Sequence, residues 1–291
     1  MEKISNVTVL GGGNMGSQIA FQIAYKGFNV IIYDISADMY SKVIEHLDLL
    51  KTIYLREANA AEEDIENAFN NISYSFNLSE AVRNADLTIE AVPEDPATKQ
   101  QLYTELGRVA PEKTIFTTNS STMLPSHLME YTGRPHKFLS LHFSNLLFHC
   151  NIAEIMKSTK TDVESFDTVV EFAEAIGMVP IIVKKEQRGY ILNSLLMPFM
   201  GAASELYLKG VSDVETIDKT WRIATGSPVG PFEMYDIVGL NTIYNIAVNG
   251  ELKDRLFAQY IKENFLKKGK LGYLSGEGFY KYPKEEGIGR Y

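Results

Sequence analysis

Short runs of β-branched and aromatic residues alternate with amphipathic stretches along the N-terminal part of the chain. Strand patterns fall at residues 7–10, 30–33, 87–92, 115–118, 138–141 and 178–183, and helical spacing at 15–25, 37–57, 96–109 and 163–175. This alternation predicts an α/β fold with a doubly wound, mostly parallel sheet. After Glu186 the strand signal stops. Helical patterns at 191–208, 213–223 and 253–267, around a Gly/Pro-rich turn at 226–231, predict an all-helical C-terminal domain. The expected boundary lies near residues 184–189, giving domains over 1–186 and 187–291. No internal repeat or low-complexity segment interrupts the pattern.

Composition narrows the partners. A chain of 291 residues exceeds the comfortable size of one core, which independently favours two domains. The formal net charge of −9 disfavours nucleic acid or an anionic membrane as the main partner, while a local basic patch could still hold an anionic ligand. The single Cys150 permits no internal disulfide and suits a reducing, cytoplasmic setting. No signal peptide is expected after Met1. Residues 190–208 are the most apolar helical stretch, but Asn193, Pro198 and Glu205 mark a core helix rather than a membrane span.

Residues 7–16 read Val-Thr-Val-Leu-Gly-Gly-Gly-Asn-Met-Gly, a strand running into G-x-G-x-x-G and then a helix. Gly11 allows the tight turn, Gly13 lets the backbone approach a pyrophosphate, and Gly16 lets helix and strand pack closely. The helix start at Asn14 and Met15 offers N–H groups and a positive dipole end to phosphates. Asp34 ends the run Val-Ile-Ile-Tyr-Asp, where a carboxylate can accept hydrogen bonds from an adenosine ribose. A Rossmann-type NAD site is therefore expected, NAD over NADP because a 2′-phosphate would meet like charge. Glu94 follows the strand pattern at 87–92 and has two readings. It could sit near the nicotinamide side of the cofactor, or be a helix N-terminal carboxylate stabilised by the dipole.

Three short apolar runs, at 114–118, 138–141 and 155–156, have Asn119, Ser120, Ser121, His142, Asn145 and Glu154 at their ends. A histidine with a carboxylate to orient it and hydroxyls facing it is what proton transfer to a carbinol oxygen requires. His142 stands at the carboxyl end of an apolar strand, where open α/β sheets bind ligands. Without further information a catalytic and a core role for it are evenly balanced, with His149 as its rival. His46, His127 and His136 read as surface residues. Cys150 is expected to be a buried structural thiol. No metal is expected.

Further motifs occur in register along nearly the whole chain: Glu90-Ala91-Val92-Pro93-Glu94, Thr118-Asn119-Ser120-Ser121, Leu141-His142-Phe143-Ser144-Asn145, Ala153-Glu154-Ile155-Met156 and Gly189-Tyr190-Ile191-Leu192-Asn193. They are followed by Gly226-Ser227-Pro228-Val229-Gly230-Pro231-Phe232-Glu233 and by Gly276-Glu277-Gly278-Phe279-Tyr280-Lys281-Tyr282. With the glycine loop, this set resembles the 3-hydroxyacyl-CoA dehydrogenases, including the 3-hydroxybutyryl-CoA enzymes. Within them the chain looks most similar to the diketoreductase-like branch, through Asn119-Ser120-Ser121-Thr122, Asp218-Lys219-Thr220-Trp221-Arg222-Ile223 and Lys268-Gly269-Lys270-Leu271-Gly272. The resemblance implies an NAD-dependent oxidoreductase of fatty acid metabolism acting on a 3-hydroxy/3-oxo acyl compound. It implies His142 as general base and acid, Glu154 as the group orienting it, and Ser121 and Asn193 as contacts to the substrate oxygen in an interdomain cleft. Asn145, Lys99 and Glu94 match cofactor-side contacts, although Lys99 also reads as a solvated helix residue. The helical domain is implied to close the substrate cleft and to mediate a homodimer.

Two departures from the family pattern bear on the substrate. The family commonly reads His-Phe-Phe-Asn-Pro, whereas this chain reads His142-Phe143-Ser144-Asn145-Leu146. The positions where coenzyme A-binding members carry a Ser and a Lys fall near Leu50 and Glu57, poor partners for a polyanion, with Lys51 and Arg56 one place off. Two alternatives therefore stand beside the main reading. One is a reductase of free oxo acids, diketo esters or sugar acids without coenzyme A, and the other a non-catalytic NAD-binding protein.

Overall fold

One eight-stranded sheet dominates the N-terminal part of a computed structural model of the protein, which describes residues 4–36 and 38–282. Its strands are β1 (Asn6–Leu10), β2 (Asn29–Tyr33), β3 (Ile72–Ser75), β4 (Leu87–Glu90), β5 (Ile115–Thr118), β6 (Phe138–Phe143), β7 (Ile152–Lys157) and β8 (Val179–Val183). They lie in the order β3-β2-β1-β4-β5-β6-β7-β8, and every neighbouring pair is parallel except β6 and β7. The connecting helices are α1 (Asn14–Tyr25), α2 (Asp38–Glu57), α3 (Glu62–Asn70), α4 (Leu78–Ala81), α5 (Pro96–Val109), α6 (Pro125–Leu128) and α7 (Val163–Ala175). Side chains alternate across the strands, so Val7 and Val9 join Phe21, Leu47 and Phe172 on one face. Leu10, Phe116 and Phe138 join Tyr103, Leu106 and Leu128 on the other. The predicted doubly wound α/β architecture is the one observed.

Two strands escaped the sequence pattern. β3 is a four-residue edge strand, Ile-Ser-Tyr-Ser, in which no residue is buried. β7 carries Glu154 among apolar residues, and only the pair at 155–156 reads as apolar in sequence. The helix expected from residue 37 is observed from Asp38, and Ala37 lies outside the described residues.

The chain parts into two units after Ile191. The second unit is helical: α8 (Leu192–Leu208), α9 (Val214–Thr225), α10 (Pro231–Val238), α11 (Leu240–Ala247) and α12 (Leu252–Asn264). Phe232, Tyr235, Leu240, Ile243, Phe257 and Ile261 form its core. α10 and α11 lie beyond the Gly/Pro-rich turn, where no helix was anticipated. Among the described residues no helix is long and apolar enough to cross a membrane.

Two buried aspartates tie this unit's C-terminal segment to its helices. Asp218 accepts the Phe232 and Glu233 N–H groups at 2.9 and 3.1 Å and the Tyr280 hydroxyl at 3.0 Å. Asp236 accepts the Phe279 and Tyr280 N–H groups at 2.8 and 2.9 Å and the Tyr282 hydroxyl at 2.9 Å. Burial, reinforced by the charge of Asp218, pushes the Asp236 carboxyl up to about 6 despite those hydrogen bonds. An unfolded aspartate titrates near about 3.9, so the folded protein binds this proton more tightly than the unfolded chain. The resulting stability is complete below about pH 4 and is lost as the pH rises through about 6. Unfolding followed by the fluorescence of the single Trp221 in α9 should show wild type losing on the order of 1–3 kcal/mol against Asp236→Asn across that window.

Candidate active site

Parallel strands deliver their carboxyl ends to one side of a sheet, and the site is assembled along that edge. After β1 the chain turns through Gly11, whose φ of +106° suits glycine. A Cβ on Gly11 would lie 2.8 Å from the Ala91 carbonyl oxygen, and one on Gly16 would lie 1.8 Å from the Gly11 carbonyl oxygen. The fold itself therefore demands both glycines. Gly13 differs, because a Cβ there would meet nothing within 4 Å. The space it leaves lies over the start of α1, which has no capping side chain and no acid in its first turn. The N–H groups at Asn14 and Met15 and the positive helix end thus face open space suited to the pyrophosphate of NAD. At the end of β2, Asp34 Oδ2 accepts the Gly12 N–H at 2.8 Å and Oδ1 accepts the Ile35 N–H at 2.8 Å, bracing the glycine turn. Among the described residues no group of three or more His, Cys, Asp or Glu is placed to hold a metal.

β7 runs back along β6 in a register that sets His142 directly opposite Glu154. His142 Nδ1 lies 3.0 Å from Glu154 Oε2, and Nε2 lies 3.1 Å from Ser121 Oγ. Both residues are buried, at 4% and 1% exposure. The other Glu154 oxygen accepts the Ile191 N–H at 2.9 Å. The Tyr190 ring stacks on the imidazole with centroids 4.3 Å apart and planes within 8°. Its hydroxyl donates to the Ser120 carbonyl at 2.9 Å, and burial pushes that hydroxyl well above its ordinary pKa. The imidazole is thereby fixed at both nitrogens and over one face. Nothing in the local sequence Gly189-Tyr190-Ile191-Leu192-Asn193 signals this stacking.

The turn that presents Ser121 is held from the β4–α5 loop. Glu94 Oε1 accepts the Ser120 hydroxyl at 2.5 Å, the Thr122 hydroxyl at 2.7 Å and the Thr122 N–H at 2.9 Å. Its Oε2 lies 3.2 Å from Lys99 Nζ. Burial would raise the Glu94 carboxyl, but the Lys99 charge and these hydrogen bonds outweigh it and hold the group below the usual range. The cap of α5 is Asp95, which accepts the Thr98 N–H at 2.7 Å, and Glu94 stands one residue before it at the same helix end. Lys99 is not solvated either, since it is 1% exposed and its ammonium donates to Glu90 Oε1 at 2.5 Å. Asn119 Oδ1 accepts the Phe143 N–H at 2.8 Å and ties the same turn to the end of β6.

Beyond β6 the half-buried Asn145 precedes Leu146, whose φ is +59° and whose N–H donates to Gln18 Oε1 at 2.9 Å. His149, the rival histidine, pairs instead with Glu57 at 3.0 Å, and Arg56 Nε donates to the same carboxylate at 3.2 Å. Cys150, expected to be buried, is exposed. Leu146 and Leu147 take the interior, and the turn carries the chain outward two residues later. His127 and His136 are exposed as expected, whereas His46 is half-buried, 3.5 Å from Ser17 Oγ. Leu50 is buried in the core of the first unit. Asn193 stands in the first turn of α8, in the second unit.

Residues 6–187 match the family model for the 3-hydroxyacyl-CoA dehydrogenase NAD binding domain, and residues 189–282 match that for the 3-hydroxyacyl-CoA dehydrogenase C-terminal domain. The mitochondrial hydroxyacyl-coenzyme A dehydrogenase of Rattus norvegicus is 33% identical over 288 residues, covering 96% of this chain and 91% of the rat protein. A solved diketoreductase, described as acting on dicarbonyl compounds, is 56% identical with a TM-score of 0.89 over 97% of this chain and all (100%) of its own. FadB2 of M. tuberculosis is 26% identical with a TM-score of 0.84, over 97% of this chain and 100% of its own.

The position of Asp34 at the end of β2 generates a prediction. Asp34→Ala should weaken NADH binding about ten- to hundredfold and narrow the preference over NADPH, as read by titrating cofactor fluorescence. An unchanged preference would refute a ribose contact at this carboxylate.

Proposed function

The chain belongs to the 3-hydroxyacyl-CoA dehydrogenase family, and from that membership we propose that it transfers hydride reversibly between NAD and the 3-position of a 3-hydroxy/3-oxo acyl compound. One observation carries the reading: the Ser121–His142–Glu154 array, a hydroxyl and a carboxylate on opposite nitrogens of one buried imidazole. Binding of NAD alone needs none of these groups.

NAD, when bound, accepts the hydride in oxidation and supplies it in reduction. Gly13, Asn14 and Met15 would hold its pyrophosphate, with Gly11 and Gly16 shaping the turn that presents them, and Asp34 its ribose. His142 Nε2 takes the hydroxyl proton in oxidation and returns it in reduction, while Ser121 hydrogen-bonds the substrate oxygen. Glu154 keeps the Nδ1 proton in place and stabilises the imidazolium. Asn145, Glu94 and Lys99 complete the cofactor side.

A second reading concerns the substrate, which would be a free dicarbonyl compound without coenzyme A. The similarity to the diketoreductase favours it. So does the Glu57 carboxylate, which engages both Arg56 and His149 and leaves that end of α2 poorly suited to a polyanion. NADH oxidation assayed with acetoacetyl-CoA and with a free 3,5-dioxo ester separates the two readings. With whichever is turned over, His142→Ala should lower kcat by about 10²–10⁴-fold. Near-full activity of that variant would overturn the assignment.

We also propose a homodimer formed through the helical unit, in the cytoplasm or another reducing compartment. Leu195, Ile223, Leu252 and Leu256 are exposed on that unit. Light scattering at micromolar concentration should give twice the chain mass, and a clean monomer would exclude the dimer.

A further inference from the structure

Glu90 is the last residue of β4 and is fully buried. It is a carboxylate at a position its strand could have filled with an apolar side chain. Its hydrogen bonds reach three separate segments. Oε1 accepts the Val92 N–H at 2.9 Å and the Lys99 ammonium at 2.5 Å, while Oε2 accepts the Thr118 hydroxyl at 2.7 Å and the Tyr103 hydroxyl at 3.3 Å. Thr118 Oγ1 in turn accepts the Ser120 N–H at 3.1 Å, and the Glu90 carbonyl accepts the Asn119 N–H at 2.9 Å. Lys99 passes the connection on to Glu94, which grips Ser120 and Thr122 on either side of Ser121.

A buried ion pair is poor value as pure stabilisation, because desolvating both charges consumes most of their attraction. Fully satisfied polar groups instead specify geometry. The geometry specified here is that of the turn bearing Ser121.

We propose that Glu90 is a positioning residue for the reaction, acting through Thr118 and through Lys99–Glu94 to keep Ser121 Oγ in hydrogen-bond reach of His142 Nε2. The inference rests on the acid/base reading of Ser121 and His142, so its test carries one readout that does not depend on turnover. Glu90→Gln leaves Lys99 with a buried charge less well paired. The double variant Glu90→Gln/Lys99→Met removes both charges at similar volume and keeps the fold within reach.

The proposal expects either variant to lower kcat about ten- to a hundredfold, as a turn displaced by an ångström would. In a Ser121→Ala background Glu90→Gln should lower kcat by less than about twofold, because the group it positions is gone. In ¹⁵N-histidine-labelled enzyme without substrate, the His142 Nε2 resonance should move in Ser121→Ala and in the Glu90 variants alike. A multiplicative loss in Glu90→Gln/Ser121→Ala, or a His142 resonance left in place by Glu90→Gln and the double variant, would overturn the proposal. If the resonances moved together while Ser121→Ala kept full turnover, positioning would stand and the catalytic reading of Ser121 would fall.

Discussion

A buried imidazole and a buried carboxylate meet across the single antiparallel step of an otherwise parallel sheet. Direct pairing of His142 with Glu154 requires β7 to turn back along β6, and a one-residue slip would send one of the two side chains to the opposite face. Much of the surrounding structure secures that register. The Asn119 amide holds the end of β6, the Ile191 N–H holds the free oxygen of Glu154, and Tyr190 lies flat on the ring. An imidazole this enclosed has little orientation left to lose, the pre-organisation that the proposed proton transfer would need.

Polar groups at the neighbouring strand ends extend the same logic. Asp34 closes on the glycine turn, and Glu94 closes on the serine turn. Each contact joins two loops along the same edge of the sheet. Beneath them, the hydrophobic layers on both faces of the sheet fix where each strand ends. The loops inherit that precision.

The helix–strand alternation and the glycine loop were legible because each repeats a local pattern with its own physical period. His142 and Glu154 were legible as isolated polar residues closing or interrupting apolar runs. β3 was not, because an exposed edge strand need not be apolar, and β7 was not, because its buried carboxylate breaks the apolar signal that marks a core strand. Lys99 misleads for a related reason. A lysine in a helix normally reads as solvated, and nothing nearby in sequence announces that Glu90 and Glu94 will surround it. Cys150 illustrates the opposite error, since burial expected from residue type gave way to the direction of a turn. Properties set by local periodicity survived the step to three dimensions, while those set by contacts between distant segments emerged only in the fold.

The left-handed turn at Leu146 limits what can be exchanged for it. A proline at this position could not share its backbone, because proline holds φ near about −65° and has no N–H to give to Gln18. Leucine and proline are therefore not interchangeable here by a single substitution. Exchanging one for the other would mean rebuilding the turn and refilling the space that the buried leucine occupies. The loop and the Gln18 side chain therefore form one unit, and a loop transplanted in or out would have to bring its partner on α1 with it.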